Sequence, residues 1–297
     1  MPKFPVEGKT VIVTGAASGI GAATTRALIA KGANVALVDL TQESVDAVAG
    51  TLPADQVLAL AADVTDYARM QEVVAEAVGR FGKVDVVFAN AGIARPTTVA
   101  SADLDEYERV LEVDLFGVIR TVKAALPQII ENKGHVLITS SIYSFFNGVI
   151  NSSYSSSKAA VEQFGRSLRI ELAAEGATCG VLYPGFVTTP ITAVARGQNE
   201  AVTKIQQRIF VGPLGTFIEP EQIASAAVKG IEGRKPRTIE PKRWVAASAL
   251  RGAFNVVADF GMTKDAGSLK LVRRIDREER ERQSAAAQVR STRTTKA

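Results

Sequence analysis

The chain has 297 residues, of which 46% are hydrophobic, and that is enough apolar material for a large domain with a buried core. Its formal charge of +4 is concentrated in residues 264–297, which carry ten Lys or Arg and five Asp or Glu, so the body is close to neutral and we expect no nucleic-acid partner. The single cysteine, Cys179, excludes an internal disulfide and favours a cytoplasmic setting.

Short runs rich in β-branched residues alternate with longer amphipathic segments along most of the chain. The strand-like runs are, in order, TVIVTG, NVALVDL, VLALAADV, VDVVFANAG, GHVLITSS, TCGVLYPG and RTIEP. Strands that are apolar on both faces and separated by helices are typical of a parallel sheet covered on both sides. The sequence therefore predicts an α/β fold with one doubly wound sheet of about seven strands, whose ligands bind beyond the carboxyl ends of the strands.

A glycine-rich turn, TGAASGIG at residues 14–21, follows the first strand and opens a helix. Glycine allows a tight turn and a close ligand approach, and the helix N-terminus offers free N–H groups to a pyrophosphate. Asp39 ends the second strand 18 residues beyond Gly21, near the spacing at which a carboxylate binds the ribose of a dinucleotide. A plain turn residue at Asp39 is the alternative.

Tyr154 and Lys158 stand four residues apart at the start of a helical pattern, so both side chains lie on one helix face. A fixed ammonium stabilises a phenolate, and we expect Lys158 to lower the pKa of Tyr154 toward the range of a usable acid/base. A solvated lysine beside a half-buried tyrosine is the competing interpretation of so short a pattern.

Six elements together resemble the short-chain dehydrogenase/reductase family from about Lys9 to Pro241. They are TGAASGIG, ADV with Asp63, ANAG at residues 89–92, Ser141, YSSSK at residues 154–158 and PGFVTTP from Pro184. The order of these elements, with Ser141 thirteen residues before Tyr154, is far more specific than any one of them. The resemblance implies a single-domain Rossmann-type fold over residues 1–241, with a substrate lid at about 186–220.

The resemblance also implies a site. Its catalytic residues would be Ser141, Tyr154, Lys158 and Asp114. Its cofactor-binding residues would be Gly15, Ser18, Gly19, Ile20, Gly21, Asp39, Leu40, Asp63, Val64, Asn90, Ala91, Gly92, Tyr154, Lys158, Pro184, Gly185, Val187 and Thr189. We expect NAD in preference to NADP, because the Asp39 carboxylate repels a 2′-phosphate and Leu40 offers no cation to neutralise it. No metal is expected, because the only histidine, His135, has no second ligand near it in sequence and is interpreted as structural.

Asp114 departs from the family pattern, which usually carries Asn there. In the family the backbone carbonyl at this position typically holds a water in the proton relay to the lysine, and any residue supplies that carbonyl. We favour an arrangement in which the Asp114 carboxylate turns away from Lys158, since a further buried charge beside the relay is costly. In the alternative, the carboxylate approaches Lys158 and weakens its effect on Tyr154.

The function implied is hydride transfer between NAD(H) and an apolar secondary alcohol or ketone, with Tyr154 as general acid/base. The apolar character comes from the aromatic segment at residues 142–153 and from the apolar end of the lid. Two alternatives stay open: another enzyme on the same scaffold, such as a cyclic diol dehydrogenase or an epimerase, and a non-catalytic cofactor-binding protein. The family's long helices commonly pair between subunits, which implies a dimer or tetramer.

Beyond Pro241 the resemblance ends. Residues 242–263 predict an amphipathic helical extension, with Trp244, Ala247, Leu250, Phe254 and Val257 on one face. We expect this face to pack on the body or on another subunit; contact of residues 242–260 with a membrane surface is the alternative. No run of about 18 apolar residues predicts a spanning helix. Residues 264–297 predict a charged, solvated helix that frays into disorder.

Overall fold

The computed structural model describes residues 3–197, 200–209 and 212–294 of the chain. Its strands are β1 (Thr10–Thr14), β2 (Asn34–Asp39), β3 (Val57–Ala61), β4 (Val86–Ala89), β5 (His135–Thr139), β6 (Thr178–Pro184) and β7 (Arg237–Glu240). All neighbouring strands pair in parallel, in the order β3-β2-β1-β4-β5-β6-β7. The predicted doubly wound sheet of seven strands is confirmed, and its order reverses between β1 and β4, where open sheets of this kind bind ligands.

Helices cover both faces of the sheet. Those of the body are α1 (Gly19–Ile29), α2 (Gln42–Ala49), α3 (Tyr67–Phe81), α4 (Leu104–Leu111), α5 (Val118–Glu131), α6 (Ser152–Ala173), α7 (Pro190–Gly197), α8 (Glu200–Ile209) and α9 (Pro220–Glu232). A π-helical turn, Glu112–Gly117, joins α4 to α5, and short 3₁₀ turns lie at Ile142–Ser144 and Gly212–Gly215. Three further helices follow β7: α10 (Trp244–Ala249), α11 (Arg251–Lys264) and α12 (Ala266–Thr294).

Two apolar layers hold the helices to the sheet. Successive strand residues point to opposite faces, so Ile12 of β1 joins the layer under α3, α5 and α6, while Val11 and Val13 join the layer under α1 and α9. This arrangement brings the carboxyl ends of β1, β2, β3, β4, β5 and β6 to one edge of the sheet. The sequence-predicted site residues follow those strands.

The chain after β7 differs from the predicted amphipathic helix. Leu250 has φ −101° and ψ 14° and separates α10 from α11, so the predicted single stripe is broken. Trp244 is fully buried against the body, whereas Leu250 and Val257 are 66% and 73% exposed. These residues therefore do not lie on one continuous helix, because the backbone changes direction between them, although the predicted C-terminal extension is helical. The side chain of Phe254 lies outside the described part of the structure.

The last helix, α12, also differs from the predicted solvated tail. Its first half packs against the body, where Ser268 and Ile275 are buried and Leu271 and Val272 are half-buried. The many charged side chains of this helix predict that all of its faces are exposed to solvent. Its few apolar residues, however, recur at helical spacing and form one apolar face. Within the described residues, no helix is both long and apolar enough to cross a membrane.

Candidate active site

The glycine-rich turn is held against the end of β4. Gly15 adopts a φ of +67°, which favours glycine, and a Cβ on Gly21 would lie 1.9 Å from the Gly15 carbonyl oxygen. Thr14 Oγ1 accepts hydrogen bonds from the backbone N–H groups of Asn90 and Ala91, at 3.0 and 3.1 Å. The turn therefore presents the N-terminus of α1 to the cleft with no side chain between, as a pyrophosphate requires.

Asp39 stands at the end of β2 beside this turn. Its Oδ2 accepts the N–H of Ala17 at 2.9 Å and its Oδ1 accepts the N–H of Leu40 at 2.8 Å. These two bonds fix the carboxylate at the rim of the cleft. Leu40, whose side chain is exposed, adds no charge there.

Asp63 follows β3 and forms an ion pair with Arg109 of α4, at 2.8 Å between Oδ2 and the guanidinium. Burial acts to raise the pKa of Asp63, but hydrogen bonds from Thr65 and Arg109 outweigh it and hold that pKa below its ordinary value. Arg109 was not predicted as a site residue, because it lies in a helix with no motif. Its ion pair with Asp63, which follows β3, holds it at the cleft.

The predicted cofactor-binding residues lie around one cavity of about 410 Å³. All of them line it except Gly21, which lies behind the turn. Ser141 lines it as well, and Asp114 does not. A cleft lined by a glycine-rich helix N-terminus and by the Asp39 carboxylate fits a nicotinamide dinucleotide.

Tyr154 lies where this cavity meets a smaller one. Ser141 lies beside it and acts to lower the pKa of the phenol, and Lys158 Nζ lies 5.3 Å from the centre of its ring. Ser141 is held in turn by the N–H of Tyr143, which donates to Ser141 Oγ at 3.2 Å. The three side chains predicted to act together are thus brought to one place by β5 and α6.

The Asp114 carboxylate contacts Lys158. Asp114 Oδ2 lies 3.1 Å from Lys158 Nζ, and Asp114 Oδ1 accepts the N–H of Ile93 at 2.7 Å. The π-helical turn places Asp114 here, and such turns often mark functional sites. The expectation that this carboxylate turns away from Lys158 is wrong, because it forms the ion pair and the Ile93 bond. Burial nevertheless outweighs both contacts and raises the pKa of Asp114 above its ordinary value.

This ion pair changes the electrostatics of Tyr154. Burial raises the pKa of the phenol, Lys158 lowers it, and Asp114 raises it again, so that it lies above its ordinary value. Lys158 shows the reverse: burial lowers its pKa, but Asp114 and Tyr154 raise it overall, so the ammonium is retained. Lys158 therefore acts to lower the pKa of Tyr154, as predicted, but burial and Asp114 together raise it by more.

The smaller cavity, of about 70 Å³, opens beside Tyr154 and Ser141. Its other lining residues are Ala94, Ile142, Tyr143, Asn151, Gly185, Phe186, Ile191, Thr192 and Phe217. Tyr143 meets both Tyr154 and Phe186 edge-on, with ring centres 6.1 Å apart in each pair. The walls are thus mostly apolar and aromatic, and we call this space the substrate pocket.

Two polar side chains of this region were not singled out from the sequence. Asn151, which lines the substrate pocket together with Tyr143, adds a polar group to it. Arg95 lines the larger cavity from the loop after β4. Neither belongs to a motif, and only the fold brings them to the site.

Comparison with known proteins places the chain among short-chain dehydrogenases. A family model described as short chain dehydrogenase matches residues 9–200. Meso-2,3-butanediol dehydrogenase of Serratia marcescens is 30% identical over 266 residues, which cover 90% of this chain and 99% of that protein. Cis-4-hydroxycyclohexanecarboxylate dehydrogenase of Sinomonas cyclohexanicum is 36% identical over 222 residues, which cover 73% and 87%.

Solved structures agree in fold. The crystal structure of levodione reductase aligns with a TM-score of 0.73 and 28% identity, covering 81% of this chain and 99% of that one. A short chain dehydrogenase/reductase from Burkholderia phymatum, in complex with NAD, aligns with a TM-score of 0.74 and 24% identity, covering 84% and 95%.

Proposed function

The chain belongs to the short-chain dehydrogenase family, and on that premise we propose that it is an NAD(H)-dependent oxidoreductase of small secondary alcohols and their ketones. The observation that carries the proposal is the position of Tyr154, which lies beside Ser141 where the two cavities meet. A substrate oxygen placed in the substrate pocket would reach both hydroxyl groups.

Each of these side chains has a role in the proposed reaction. NAD(H), when bound, accepts or supplies the hydride. Ser141 hydrogen-bonds the substrate oxygen, and Tyr154 takes the hydroxyl proton during oxidation or returns it during reduction. Lys158 holds a positive charge 5.3 Å from the phenol ring and so stabilises the phenolate, while Asp114 moderates that effect.

We propose NAD rather than NADP as the cofactor. Asp39 sits at the rim of the cleft with both oxygens fixed by backbone N–H groups, and a 2′-phosphate brought near it would be repelled. Leu40 offers no compensating charge. The ribose hydroxyl groups of NAD, in contrast, would donate hydrogen bonds to this carboxylate.

The small, mostly apolar substrate pocket supports a compact alcohol or ketone with an apolar body. A vicinal or cyclic diol is a second candidate, favoured by the relative named meso-2,3-butanediol dehydrogenase and by the Tyr143–Asn151 pair, which could hold a second hydroxyl group.

We also propose a homo-oligomer that works in the cytoplasm. Exposed apolar side chains, Phe116 and Ile170, lie in the two helical regions that this family commonly pairs between subunits. A cytoplasmic setting supplies the NAD(H) pool that such an enzyme needs. Light scattering of the purified chain would measure the subunit number directly.

The proposed function is tested by incubating the protein with NAD and a panel of small secondary alcohols and diols while following nicotinamide absorbance. Steady formation of NADH with at least one compact alcohol is expected. Binding of NADH without turnover of any alcohol or ketone in the panel would favour the non-catalytic alternative and contradict the proposal.

A further inference from the structure

The C-terminal helix α12 packs on the segments that enclose the substrate pocket. Helix α8 belongs to the predicted lid. Its Ala201, Val202 and Ile205 are almost completely buried in one apolar cluster with Ile275 of α12. Ile150, from the loop between β5 and α6, joins the same cluster. Apolar burial of this kind is the main source of attachment between helices in water.

A polar contact fixes the start of α12 to the end of α8. Asp265 accepts two hydrogen bonds from the Arg208 guanidinium, at 2.7 and 3.1 Å. Asp265 Oδ2 also accepts the N–H of Ser268 at 3.0 Å, which caps the first turn of α12. The bidentate pair therefore joins the two helices in one defined orientation.

A neighbouring face of α12 contacts the loop that follows β4. Asp276 accepts a hydrogen bond from the Thr98 hydroxyl, and Gln283 donates to the Ser101 carbonyl at 2.7 Å. One helix thus joins the loop after β4, the loop after β5 and the lid. These segments also supply Ala94, Asn151 and Ile191 to the substrate pocket.

None of these attachments belongs to the cofactor cleft, since no described residue of α12 lines the larger cavity. The consequence of losing α12 would therefore fall on the substrate side. The lid helix α8 would lose an apolar partner, and α7, which carries Ile191 and Thr192, packs on α8.

We propose that α12 is a strap that fixes the lid against the loops after β4 and β5 and so sets the size of the substrate pocket. On the proposed function, this restricts the enzyme to compact alcohols. Without the strap, the lid opens more often, small substrates bind less tightly, and bulkier alcohols gain access.

The test compares the full chain with Ile275→Asp, which places a charge in the apolar cluster, and with a chain that ends at Lys264. With NADH bound, hydrogen–deuterium exchange of amides 200–209 is expected to become at least about tenfold faster in both variants. The Kd for NADH should stay within about twofold, while KM for the best small alcohol rises at least about fivefold and bulky alcohols gain in relative kcat/KM.

Two matched controls lie on the same helix. Arg277→Ala changes an exposed side chain, and Ile275→Leu keeps the apolar contact, so both should behave like the full chain. Unchanged lid exchange in Ile275→Asp would overturn the proposal, even if the truncated chain does not fold. The exchange measurement does not depend on turnover. A result that contradicts the role of α12 can therefore be distinguished from a result that contradicts the proposed function.

Discussion

The Asp114 carboxylate lies 3.1 Å from the Lys158 ammonium, and both groups are buried at the base of the candidate active site. Lys158, which faces the Tyr154 ring, therefore forms an ion pair with Asp114 that carries no net charge. Its positive field at the phenol is reduced, while its own charge is secured against burial. Asp114 is thus a positioning residue, because it acts on the phenol through Lys158 and through its own charge.

The first prediction concerns Asp114→Asn. Removing the carboxylate removes a contribution that raises the pKa of Tyr154, so the phenolate should form at lower pH. The rise of kcat/KM with pH during alcohol oxidation should therefore move to lower pH.

Asp85→Asn is the matched control for this shift. Asp85 is also buried and pairs with Lys9 at 3.0 Å, but it precedes β4 at the opposite edge of the sheet. Its variant should keep the wild-type pH profile. An Asp114→Asn profile that coincides with the wild type would show that the carboxylate does not act on Tyr154.

The second prediction concerns the stability of the same pair. Lys158→Met leaves Asp114 buried without its cation, which should lower the free energy of unfolding by about 3–5 kcal/mol near neutral pH. The double variant with Asp114→Asn should recover part of that loss, since no isolated charge remains. Urea unfolding of the four proteins measures this, and equal stability of single and double variants would argue against a tight ion pair.

The third prediction concerns cofactor choice. Asp39→Ala with Leu40→Arg replaces a repelling charge with an attracting one, so the ratio of kcat/KM for NADP to that for NAD should rise at least about tenfold, which corresponds to about 1.4 kcal/mol. Asp46→Ala, an exposed aspartate on α2, is the control and should leave the ratio unchanged. Comparable use of both cofactors by the wild type would contradict the role given to Asp39.

The fourth prediction concerns His135, which is fully buried in β5 with Nδ1 2.8 Å from Thr178 Oγ1. Burial, together with Arg234 and Arg169, lowers its pKa to about 3. The unfolded chain binds a proton near pH 6.5, whereas the folded chain does not, so folding stability is lost as the pH falls below that value.

His135→Gln should remove this acid sensitivity. As the pH falls from 6.5 to 5, the free energy of unfolding of the wild type should fall more steeply than that of the variant, and the difference in slope should approach about 1.4 kcal/mol per pH unit. Parallel curves from urea unfolding across that range would show that His135 is not held neutral in the native state.

The sequence was sufficient for the sheet and for most of the candidate site, because both follow from local signals. Alternation of strands with amphipathic helices fixes the fold class, and the glycine-rich turn, Asp39 and the Tyr154–Lys158 spacing mark the ends of particular strands and helices. Gly21 shows the limit of such motifs: it lies behind the turn, where no Cβ fits, and does not line the cavity.

The features that were wrong or missing depend on contacts between distant segments. Arg109 reaches Asp63 from 46 residues away, and Asp114 turns toward Lys158 because a π-helical turn changes the direction of its side chain. The packing of α12 on α8 depends on a few apolar residues, such as Ile275, within a highly charged helix. Composition alone predicts a solvated tail there.

The fifth prediction, Tyr154→Phe, tests the central claim, that Tyr154 moves the substrate proton in an NAD(H)-dependent reaction. The measurement is kcat/KM for the best alcohol, with the Kd for NADH measured beside it and Tyr67→Phe, a partly exposed tyrosine on α3, as the matched control. We predict that Tyr154→Phe loses at least about 10²–10⁴-fold in kcat/KM with an unchanged Kd, while Tyr67→Phe keeps full activity. A Tyr154→Phe variant that retains most of its activity would contradict the account.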